Sequence, residues 1–354
     1  MEEDGKGQAA DRGEGAPTLE DVARRAGVST ATVSRALNTP ERVAPPTREK
    51  VDAAVRALGY VPNFGARAMA ARRTNTIGAI IPTMENAIFA RGIQAFQEAL
   101  QAEGYTLLVA SSLYDPAVEE AEVRALVARG AEGLLLIGHD RDPAITRFLA
   151  ARGIPAVVTW TWQADGPVPS VGFDNRATMQ EMAGQVIAMG HRRLAAISAP
   201  TAANDRARAR VEGIRAAMAA AGLDPAALDV VETPYGIDTG AAAFARLMSR
   251  QHPPTAVICG NDVLAAGALR AAHEMGIDVP GRVSVTGFDD IDLAEVVRPA
   301  LTTVHVPHRK MGRAAAAALV AMIRGGPTPA STRLVAEIRL RASLAPPPAD
   351  APPG

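Results

Sequence analysis

Apolar positions in residues 18–60 recur at helical spacing and predict three short helices. The segment "TLEDVARRAG" starts with a capping residue, Thr18, and has Asp21 three positions later. Gly27 suits the left-handed position that follows a last helical turn. In "VSTATVSRALN", Ser29 is placed to cap a second helix. These signals predict two short helices separated by a three-residue turn.

The third helix is predicted in "PPTREKVDAAVRALGY". Its apolar residues Val51, Val55 and Leu58 share one face, and Gly59 ends it. Three short helices with a tight turn between the first two are typical of the helix-turn-helix plan.

The second helix of this trio carries unusual residues off its apolar stripe, which is formed by Val33 and Leu37. The off-stripe residues are Thr30, Ala31, Thr32, Ser34 and Arg35. Hydroxyl groups bond phosphate oxygens, small residues let a helix enter a major groove, and arginine forms a two-pronged contact to guanine. An ordinary three-helix cap with a polar face is the alternative.

From Thr76 onward the pattern changes to apolar strand runs that alternate with amphipathic helices. The runs are "TIGAIIP", "TLLVASS", "GLLLIG", "PAVVTW", "RLAAISA", "DVVET", "TAVICG" and "VSVTGF". Glycines that stop a helix before the next strand are Gly104, Gly130, Gly153, Gly190, Gly222 and Gly276. This rhythm predicts two α/β subdomains with doubly wound parallel sheets, divided near Val171–Asn175.

Chemistry-bearing residues follow several predicted strands, and ligands bind at the carboxyl ends of strands in such sheets. They are Trp160, Trp162, Phe173, Asn175, Asn261, Asp262, Asp289 and Asp290. In "TWTW" the two tryptophans alternate with threonines, which predicts both rings on one side of a strand. Asp and Asn also serve as ordinary helix caps. Together the residues favour a polar pocket with aromatic walls, suited to a polyhydroxylated ligand such as a sugar.

Charge is unevenly distributed along the 354 residues. Residues 18–73 hold ten Lys or Arg against five Asp or Glu, a net of +5, while residues 1–17 and 74–354 are each at −3. A basic N-terminal segment favours a nucleic-acid partner, although a solvated basic face would look the same.

Composition excludes several other classes. No run of eighteen apolar residues and no signal-peptide pattern is present, so we expect a cytoplasmic protein without a membrane partner. Cys259 is the single cysteine and the six histidines lack metal-ligand spacing, so no metal site is predicted. "GKGQAA" lacks a strand–helix context, so no cofactor is predicted either.

The headpiece segments "TLEDVARRAGVSTATVSRALN" and "VAPPTREKVDAAVRALGYVPN" resemble the DNA-binding part of the LacI/GalR (lactose-repressor) family of bacterial transcription regulators. The resemblance implies base reading by Thr30, Ala31 and Arg35. It implies phosphate contacts from Ser29, Thr32, Ser34, Asn38, Thr47, Tyr60 and Asn63. The family's hinge helix corresponds to residues 63–73, where Ala66 and Met69 face DNA and Met69 replaces a common wedge leucine.

The C-terminal motifs "RGAEGLLLIG", "RVEGIRAAM", "CGNDVLAAGALRA", "VPGRVSVTGFDD" and "RPALTTVHVP" resemble the same family's effector domain, which is similar to periplasmic sugar-binding proteins. The resemblance implies effector contacts from Arg210, Asn261 and Asp289, with Phe89 and Phe173 as walls beside Trp160 and Trp162. "VGFDN" and "MGHRR" are similar to gluconate-type regulators.

These observations predict a domain order that runs from a DNA-binding headpiece to an effector domain. The expected parts are a disordered tail at 1–17, the all-α helix-turn-helix headpiece at 18–62, the hinge at 63–73, the α/β effector domain at 74–342, and a disordered tail at 343–354. Within the effector domain, one subdomain is expected at 74–173 plus 305–331 and the other at 174–304 plus 332–342. The ending "SLAPPPADAPPG" has no heptads and favours a homodimer.

The predicted function is a DNA-binding transcriptional regulator, a repressor, whose affinity for a near-palindromic operator is controlled by a sugar or sugar acid. One alternative is a sugar-modifying enzyme, but Asp289 and Asp290 are adjacent and therefore diverge, a poor general acid and base pair. The other alternative is a sugar-binding protein of transport, which would need an export signal and no basic headpiece.

Overall fold

The computed structural model describes residues 16–61, 73–85 and 87–349. The chain divides into two compact units, Met1–Thr74 and Asn75–Gly354, and each is described by itself. The described elements of the first unit are helical, and the second unit contains parallel sheets with helices, which confirms the predicted fold class.

The described part of the first unit is a helix-turn-helix bundle. Its helices are α1 (Leu19–Ala26), α2 (Thr30–Asn38) and α3 (Pro45–Leu58), with a 3-10 turn at Pro40–Arg42. The Thr18 hydroxyl accepts a hydrogen bond from the Asp21 amide, and the Asp21 carboxylate accepts one from the Thr18 amide, so the predicted capping box forms. Gly27 adopts the left-handed conformation, φ 66°, and turns the chain toward α2.

The core of this unit is small because each helix contributes one narrow face. Val22, Val33 and Val51 are fully buried. Val55 and Leu58, on the stripe predicted for α3, pack against these residues while staying partly exposed. About one well-buried valine per helix leaves the opposite side of each helix free for contact with solvent or a partner.

The first sheet of the second unit consists, among the described residues, of six parallel strands. They are β1 (Thr76–Ile81), β2 (Thr106–Ser111), β3 (Leu134–Ile137), β4 (Ala156–Thr159), β5 (Ser170–Gly172) and β11 (Thr332–Arg333). Their order is β11–β5–β4–β3–β1–β2. The helices of this lobe are α4 (Ala87–Ala102), α5 (Pro116–Ala128), α6 (Pro143–Ala151) and α12 (His308–Ile323). Leu134 and Leu135 enter different hydrophobic clusters, so both faces of the sheet are covered. We call this part the first lobe.

The second lobe is built on four parallel strands of the described chain. They are β6 (Leu194–Ser198), β7 (Asp229–Glu232), β8 (Ala256–Cys259) and β9 (Ser284–Thr286), in the order β7–β6–β8–β9. Its helices are α7 (Asn175–Ala188), α8 (Asp205–Ala220), α9 (Ile237–Met248), α10 (Asp262–Glu274) and α11 (Leu293–Val296). All eight strand runs predicted from the sequence form strands of the two sheets.

A short antiparallel pair, β10 (Thr303–His305) and β12 (Glu337–Arg339), accompanies the two sheets. Between β10 and β12 the chain returns to the first lobe, where β11 pairs with β5 of the first sheet. The predicted assignment of residues 332–342 to the second subdomain is therefore wrong for β11. The sequence carried no signal for a two-residue strand.

The predicted disordered tail at 343–354 starts too early. Ser343 is fully buried, and its backbone carbonyl accepts a hydrogen bond from the amide of Val285 in β9. The carbonyl of Ala345 bonds to His191 Nε2 at 2.8 Å, and His191 Nδ1 bonds to the Thr255 hydroxyl at 2.9 Å. The histidine of the "MGHRR" motif thus attaches the C-terminal segment to the second lobe.

Two glycines let α4 and α12 approach each other closely. A Cβ on Gly312 would lie 2.1 Å from the carbonyl oxygen of Gly92, and a Cβ on Gly92 would lie 2.5 Å from the Trp160 ring. Any larger residue would collide with backbone at the first position. The close packing holds Trp160 against the start of both helices.

Candidate DNA-reading helix and effector cleft

The outer face of α2 carries the three residues predicted to read bases. Thr30, Ala31 and Arg35 are exposed, while Val33 and Ala36 on the same helix are buried. The Ser29 side chain caps the helix by accepting a hydrogen bond from the Thr32 amide at 3.1 Å. The cap fixes where the helix begins, so the first exposed residues project from its N-terminal end.

The residues predicted to contact phosphate surround this face with hydroxyl and amide groups. Ser29 and Asn38 are exposed, and Thr32, Ser34, Thr47 and Tyr60 are half-buried. The Ser29 and Thr32 hydroxyls lie 2.9 Å apart, and Asn38 Nδ2 donates to the Ser34 hydroxyl at 3.3 Å. Neighbouring hydroxyls hold one another in place and keep lone pairs and protons available to a partner. The other predicted DNA contacts, Asn63, Ala66 and Met69, lie outside the described residues.

In the second unit, Arg210 lies at the centre of the predicted effector cleft. It projects from α8 and is almost fully buried. Its Nε donates to Asn175 Oδ1 at 2.9 Å, and its Nη1 donates to the Gly260 carbonyl at 2.5 Å. Its guanidinium stacks over the Phe288 ring with 3.7 Å between Cζ and the ring centroid. The arginine is thus fixed in position by three neighbours.

Asp289 faces Arg210 at a distance of 3.8 Å between Nη2 and Oδ1, beyond hydrogen-bond length. Neither carboxylate oxygen has a hydrogen-bond partner among the described residues, and the side chain is fully buried. Burial raises the pKa of Asp289 to about 6, although the positive charges of Arg210 and Arg206 act to lower it. A carboxylate in this state gains from a ligand that donates hydrogen bonds to it.

The backbone at Asp289 is held in an uncommon conformation. Its φ is 103°, which residues other than glycine rarely adopt, and its amide donates to the Val304 carbonyl at 2.9 Å. Asp262 anchors the same loop, because its Oδ2 accepts a hydrogen bond from the Ile291 amide at 2.9 Å. Asp262, which also follows a strand, therefore has a structural role.

The two polar atoms of the Asn261 side chain have different surroundings. Its Oδ1 caps α10 by accepting from the Leu264 amide at 2.9 Å. Its Nδ2 is buried without a hydrogen-bond partner among the described residues. The Nδ2 group therefore leaves its two N–H donors for a ligand.

Aromatic rings form two groups near these polar residues. Phe89 meets Trp160 edge to face at 5.2 Å between ring centroids, and Phe173 stacks on Phe288 at 5.8 Å. Trp162 is apart from both, with its ring beneath the guanidinium of Arg333 at 4.9 Å. The expectation that the tryptophan rings share one side rested on a strand that extends to Trp162. The strand β4 ends at Thr159, so its alternation does not apply.

Two site residues were not identified from the sequence. His308 Nε2 lies 3.2 Å from the Asp289 carbonyl, which can only accept, so Nε2 carries the proton and Nδ1 is an acceptor. Nδ1 is buried without a partner among the described residues, and burial lowers the pKa of His308 to about 4. Arg206 precedes Arg210 by one helical turn, is buried, and pairs with Asp205 at 2.7 Å. The spacing of the arginines in "DRARAR" was the available signal for it.

Polar contacts join the two lobes at the rim of the cleft. Arg208 Nη2 donates to both carboxylate oxygens of Asp140, at 2.7 and 2.9 Å. The His139 amide donates to Asp205 Oδ2 at 2.7 Å. Asp140 and His139 follow β3 of the first lobe, whereas the arginine and Asp205 belong to α8 of the second. The cleft is therefore bounded by contacts that depend on how the lobes are spaced.

Over the part of the chain that the structure describes, no helix is long and apolar enough to cross a membrane. Within the same residues, no group of three or more His, Cys, Asp or Glu side chains is arranged to hold a metal ion.

A helix-turn-helix unit and a two-lobed unit with convergent polar groups define a DNA-binding regulator with an effector domain. Residues 18–63 match the description "Bacterial regulatory proteins, lacI family", and residues 183–344 match "Periplasmic binding protein-like domain". The chain is 35% identical over 312 residues to the HTH-type transcriptional regulator GntR of Pseudomonas aeruginosa, covering 88% of this chain and 90% of that protein. The chain belongs to the lacI family, and it is a transcriptional regulator.

Solved structures show the same architecture. The lac repressor dimer bound to operator and the anti-inducer ONPF superposes with a TM-score of 0.83 at 26% identity, covering 94% of this chain and 100% of that chain. A complex of the transcriptional regulator CelR with cellobiose superposes with a TM-score of 0.67 at 31% identity, covering 92% of this chain and 99% of that chain.

Proposed function

We propose that α2 reads operator DNA through Thr30, Ala31 and Arg35. The observation that carries this proposal is the exposure of all three side chains on a helix whose Val33 and Ala36 are buried. Arg35 suits a guanine edge, and Ala31 suits apolar contact with a thymine methyl group. The surrounding groups bind phosphate oxygens and set the orientation of the helix: Ser29, Thr32, Ser34, Asn38, Thr47 and Tyr60.

The effector is a sugar or sugar acid bound in the cleft. Support comes from buried polar groups that lack partners among the described residues: the Asp289 oxygens accept from hydroxyls, and Asn261 Nδ2 donates. Phe89, Trp160 and Phe173 supply apolar walls for C–H faces, and Arg210 neutralises the aspartate. The CelR relative binds cellobiose, which is a sugar of the expected class.

The regulator acts as a homodimer on a near-palindromic site, with two copies of α2 in successive major grooves. The lac repressor relative is a dimer on its operator. Asn63, Ala66 and Met69 belong to the hinge proposed at 63–73, where Met69 enters the minor groove as a wedge. Replacing Met69 by Ala is expected to weaken operator binding and leave effector binding intact.

Binding, not catalysis, is the activity of the cleft. The neighbouring carboxyl groups do not converge on a ligand, because Asp290 is bonded elsewhere, to His305 Nδ1 at 2.9 Å and to Arg341 at 2.8 Å. Glycoside hydrolysis typically uses two carboxyl groups that flank the bond, and Asp289 with Asp290 does not supply such a pair. We place the protein on DNA in the cytoplasm.

A gel-shift titration of the purified full chain on its own promoter region tests DNA binding, with unrelated DNA as competitor. Sequence preference that is lost on adding a sugar or sugar acid is the expected result. Equal affinity for promoter and competitor would contradict operator recognition. Effector binding that is unchanged by operator DNA would contradict the coupling, because coupling between two binding sites is reciprocal.

A further inference from the structure

The two short strands that pair outside the main sheets also connect the lobes. β10 leads from α11 of the second lobe to α12 of the first lobe. β12 leads back, from β11 of the first sheet toward Ser343, whose carbonyl bonds to β9. The strands are antiparallel, with Val304 opposite Ile338. We call them the crossover pair. A change in the spacing of two rigid lobes is absorbed by the few residues that connect them, so it must involve this pair.

Asn261 and Asp262 lie next to each other at the start of α10 and have different partners. Asn261 Nδ2 lacks a hydrogen-bond partner among the described residues. The following carboxylate, Asp262, is fully buried and accepts hydrogen bonds from the Thr303 hydroxyl and the Ile291 amide. Thr303 is the first residue of β10. Asp262 therefore joins a turn that faces the cleft to the crossover pair.

Asp289 and Asp290, in the loop after β9, repeat this arrangement. The Asp289 oxygens lack partners among the described residues, whereas Asp290 Oδ2 lies 2.9 Å from Nδ1 of His305, the last residue of β10. Asp290 Oδ1 pairs with Arg341 Nη2 at 2.8 Å, and Arg341 follows β12 by two residues. The two side chains of this ion pair are 12% and 18% exposed, so salt screens it only in part. Asp290 thus contacts both sides of the crossover pair.

The backbone connects the same segments. The Asp289 amide donates to the Val304 carbonyl at 2.9 Å, and the Arg341 amide donates to the Thr302 hydroxyl at 2.9 Å. Asp289 and Asp290 have φ values of 103° and 52°. Residues other than glycine keep such a conformation only where the surrounding structure holds them in it. A shift of Asp289 is therefore passed to β10 through the backbone and through the Asp290 side chain.

We propose that Asp262 and Asp290 are positioning residues that couple ligand binding in the cleft to the spacing of the lobes. The inference rests on the proposed effector function, in which a ligand pairs the polar atoms of Asn261 and Asp289. Each of those residues is followed in the chain by a carboxylate that bonds to one end of β10. The crossover pair is then an element that the ligand biases and that sets the lobe arrangement, which is what coupling requires.

The spacing of the lobes can be measured without any ligand. Spin labels on Ala150→Cys in α6 and Ala219→Cys in α8, both exposed positions, report it by pulsed electron paramagnetic resonance on the full chain. The native Cys259 is buried and burial raises the pKa of its thiol, so it should not take up the label. An excess of unlabelled chain ensures that an assembly holds at most one labelled copy.

Asp290→Ala removes the contacts to His305 and Arg341. We expect the distribution of lobe distances to widen, or its mean to shift by about 2 Å or more, the size of a domain rearrangement. Glu295→Gln is the matched control, because Glu295 is an exposed partner of the same arginine. It should keep the parent distribution. A purely structural role of Asp290 would lower the free energy of unfolding and leave the lobe distance of the folded chain unchanged.

The contact of Asp262 is tested from its partner, because a substitution of the fully buried carboxylate could prevent folding. Thr303→Val keeps the shape of the side chain and removes the hydroxyl that bonds to Asp262. It should change the lobe distances as Asp290→Ala does, whereas Thr303→Ser keeps the hydroxyl and should keep the parent distances. Parent distances in both Asp290→Ala and Thr303→Val would overturn the inference.

Titrations with gluconate, glucose and ribose, each with and without promoter DNA, separate the inference from the function on which it rests. If one of them binds, Asp290→Ala should reduce the factor by which it changes DNA affinity by about threefold or more. Weaker ligand binding with that factor unchanged would make Asp290 part of the binding site and contradict the inference. If none of the three binds, the proposed effector class is wrong, and the lobe distances still decide whether the two carboxylates position the lobes.

Discussion

The DNA-reading helix and the effector cleft both use polar side chains, but they keep those side chains in opposite environments. On α2, Thr30 and Arg35 are exposed, and Ser29 and Thr32 bond to each other. In the cleft, Asp289 and Asn261 are buried with polar atoms that lack partners among the described residues. A polar surface costs little stability before a partner arrives, whereas a buried unpaired group carries a desolvation penalty.

The difference has a functional consequence. A surface that binds phosphate and base edges needs no rearrangement of its core, so its affinity depends on charge and fit. A cleft with unpaired buried groups is stabilised by a ligand that pairs them, so ligand binding favours whichever lobe arrangement buries that ligand. Substitutions in the cleft should therefore change the free energy of unfolding. Substitutions on the exposed face of α2 should change only the affinity for DNA.

The largest expected effect belongs to Arg210→Ala. Removing this side chain takes away the partner of Asn175 and Gly260 and leaves the Asp289 charge without compensation. Breaking a buried charge pair in this way costs about 3–5 kcal/mol. Urea unfolding followed by the fluorescence of Trp160 and Trp162 measures the loss in the second unit, where both residues lie.

Arg208→Ala is the control for this substitution. Arg208 pairs with Asp140 at the rim, where the side chain is 40% exposed, so its loss should cost less than about 1 kcal/mol. Equal unfolding midpoints for the Arg210 and Arg208 variants would show that a charge pair at the buried centre of the cleft contributes no more stability than one at its exposed rim.

Asp289→Asn should stabilise the sugar-free protein above pH 6. Burial raises the pKa of Asp289 from 3.8 to about 6, so the folded state binds its proton more tightly than the unfolded state does. As pH rises from about 4 to 6, the unfolded chain has already lost this proton, and the folded state loses stability by up to about 3 kcal/mol. The asparagine variant lacks this loss. The difference in free energy of unfolding between the variant and the parent should therefore grow from about pH 4 to pH 6 and stay constant above pH 6.

Unfolding measured at several pH values, with and without sugar, checks this prediction. Burial also raises the pKa of Asp262, and the charge of Asp289 raises it further, so the substitution lowers the pKa of Asp262 and adds to the gain in stability of the variant. Sugar affinity should fall in the variant, because an ionised carboxylate accepts hydrogen bonds more strongly than an amide. Parallel pH curves for parent and variant would contradict the account of Asp289.

Arg35→Ala should act on affinity without a change in stability. The side chain is exposed on α2, so the unfolding midpoint should not shift, while loss of a two-pronged base contact costs about 1–3 kcal/mol of operator binding. Gel shifts on operators with one base pair changed should show relaxed preference at a single position. Arg24→Ala, at an exposed residue of α1 that pairs with Asp21, is the control and should leave the base preference unchanged. A uniform loss over all sequences would make Arg35 a phosphate contact instead.

Local signals explain how much of this structure could be predicted from the sequence. The caps at Thr18 and Ser29 depend on residues within three positions, so they were visible in the chain and form as expected. The eight strands could also be predicted, because helix-stop glycines such as Gly190, φ 109°, recur before strands.

The parts that sequence reasoning missed depend on contacts between distant residues. His308 reaches the carbonyl of Asp289 only because α12 returns to the first lobe, and nothing near His308 in the chain signals this. The left-handed backbone at Trp160, φ 60°, follows the end of β4 at Thr159, three residues before the Trp162 that the "TWTW" alternation required. Alternation holds only while the strand continues, so the two tryptophans were paired incorrectly.

The smallest expected effect concerns Trp162, which the alternation had placed on the same side as Trp160. Trp162→Phe should change sugar affinity by less than about threefold, since the ring packs under Arg333 at the edge of the first sheet and its loss removes about 0.5–1 kcal/mol of local stacking. Trp160→Phe should remove the fluorescence change that accompanies sugar binding, because the Trp160 ring contacts Phe89 and lies 6.0 Å from the His308 ring. If the Trp162 variant loses the fluorescence response and the Trp160 variant keeps it, the aromatic wall of the cleft lies on the other side of the sheet edge. The cleft would then extend toward Arg333, and Asp289 at its centre would lie closer to solvent. The contrast with the exposed face of α2 would be smaller.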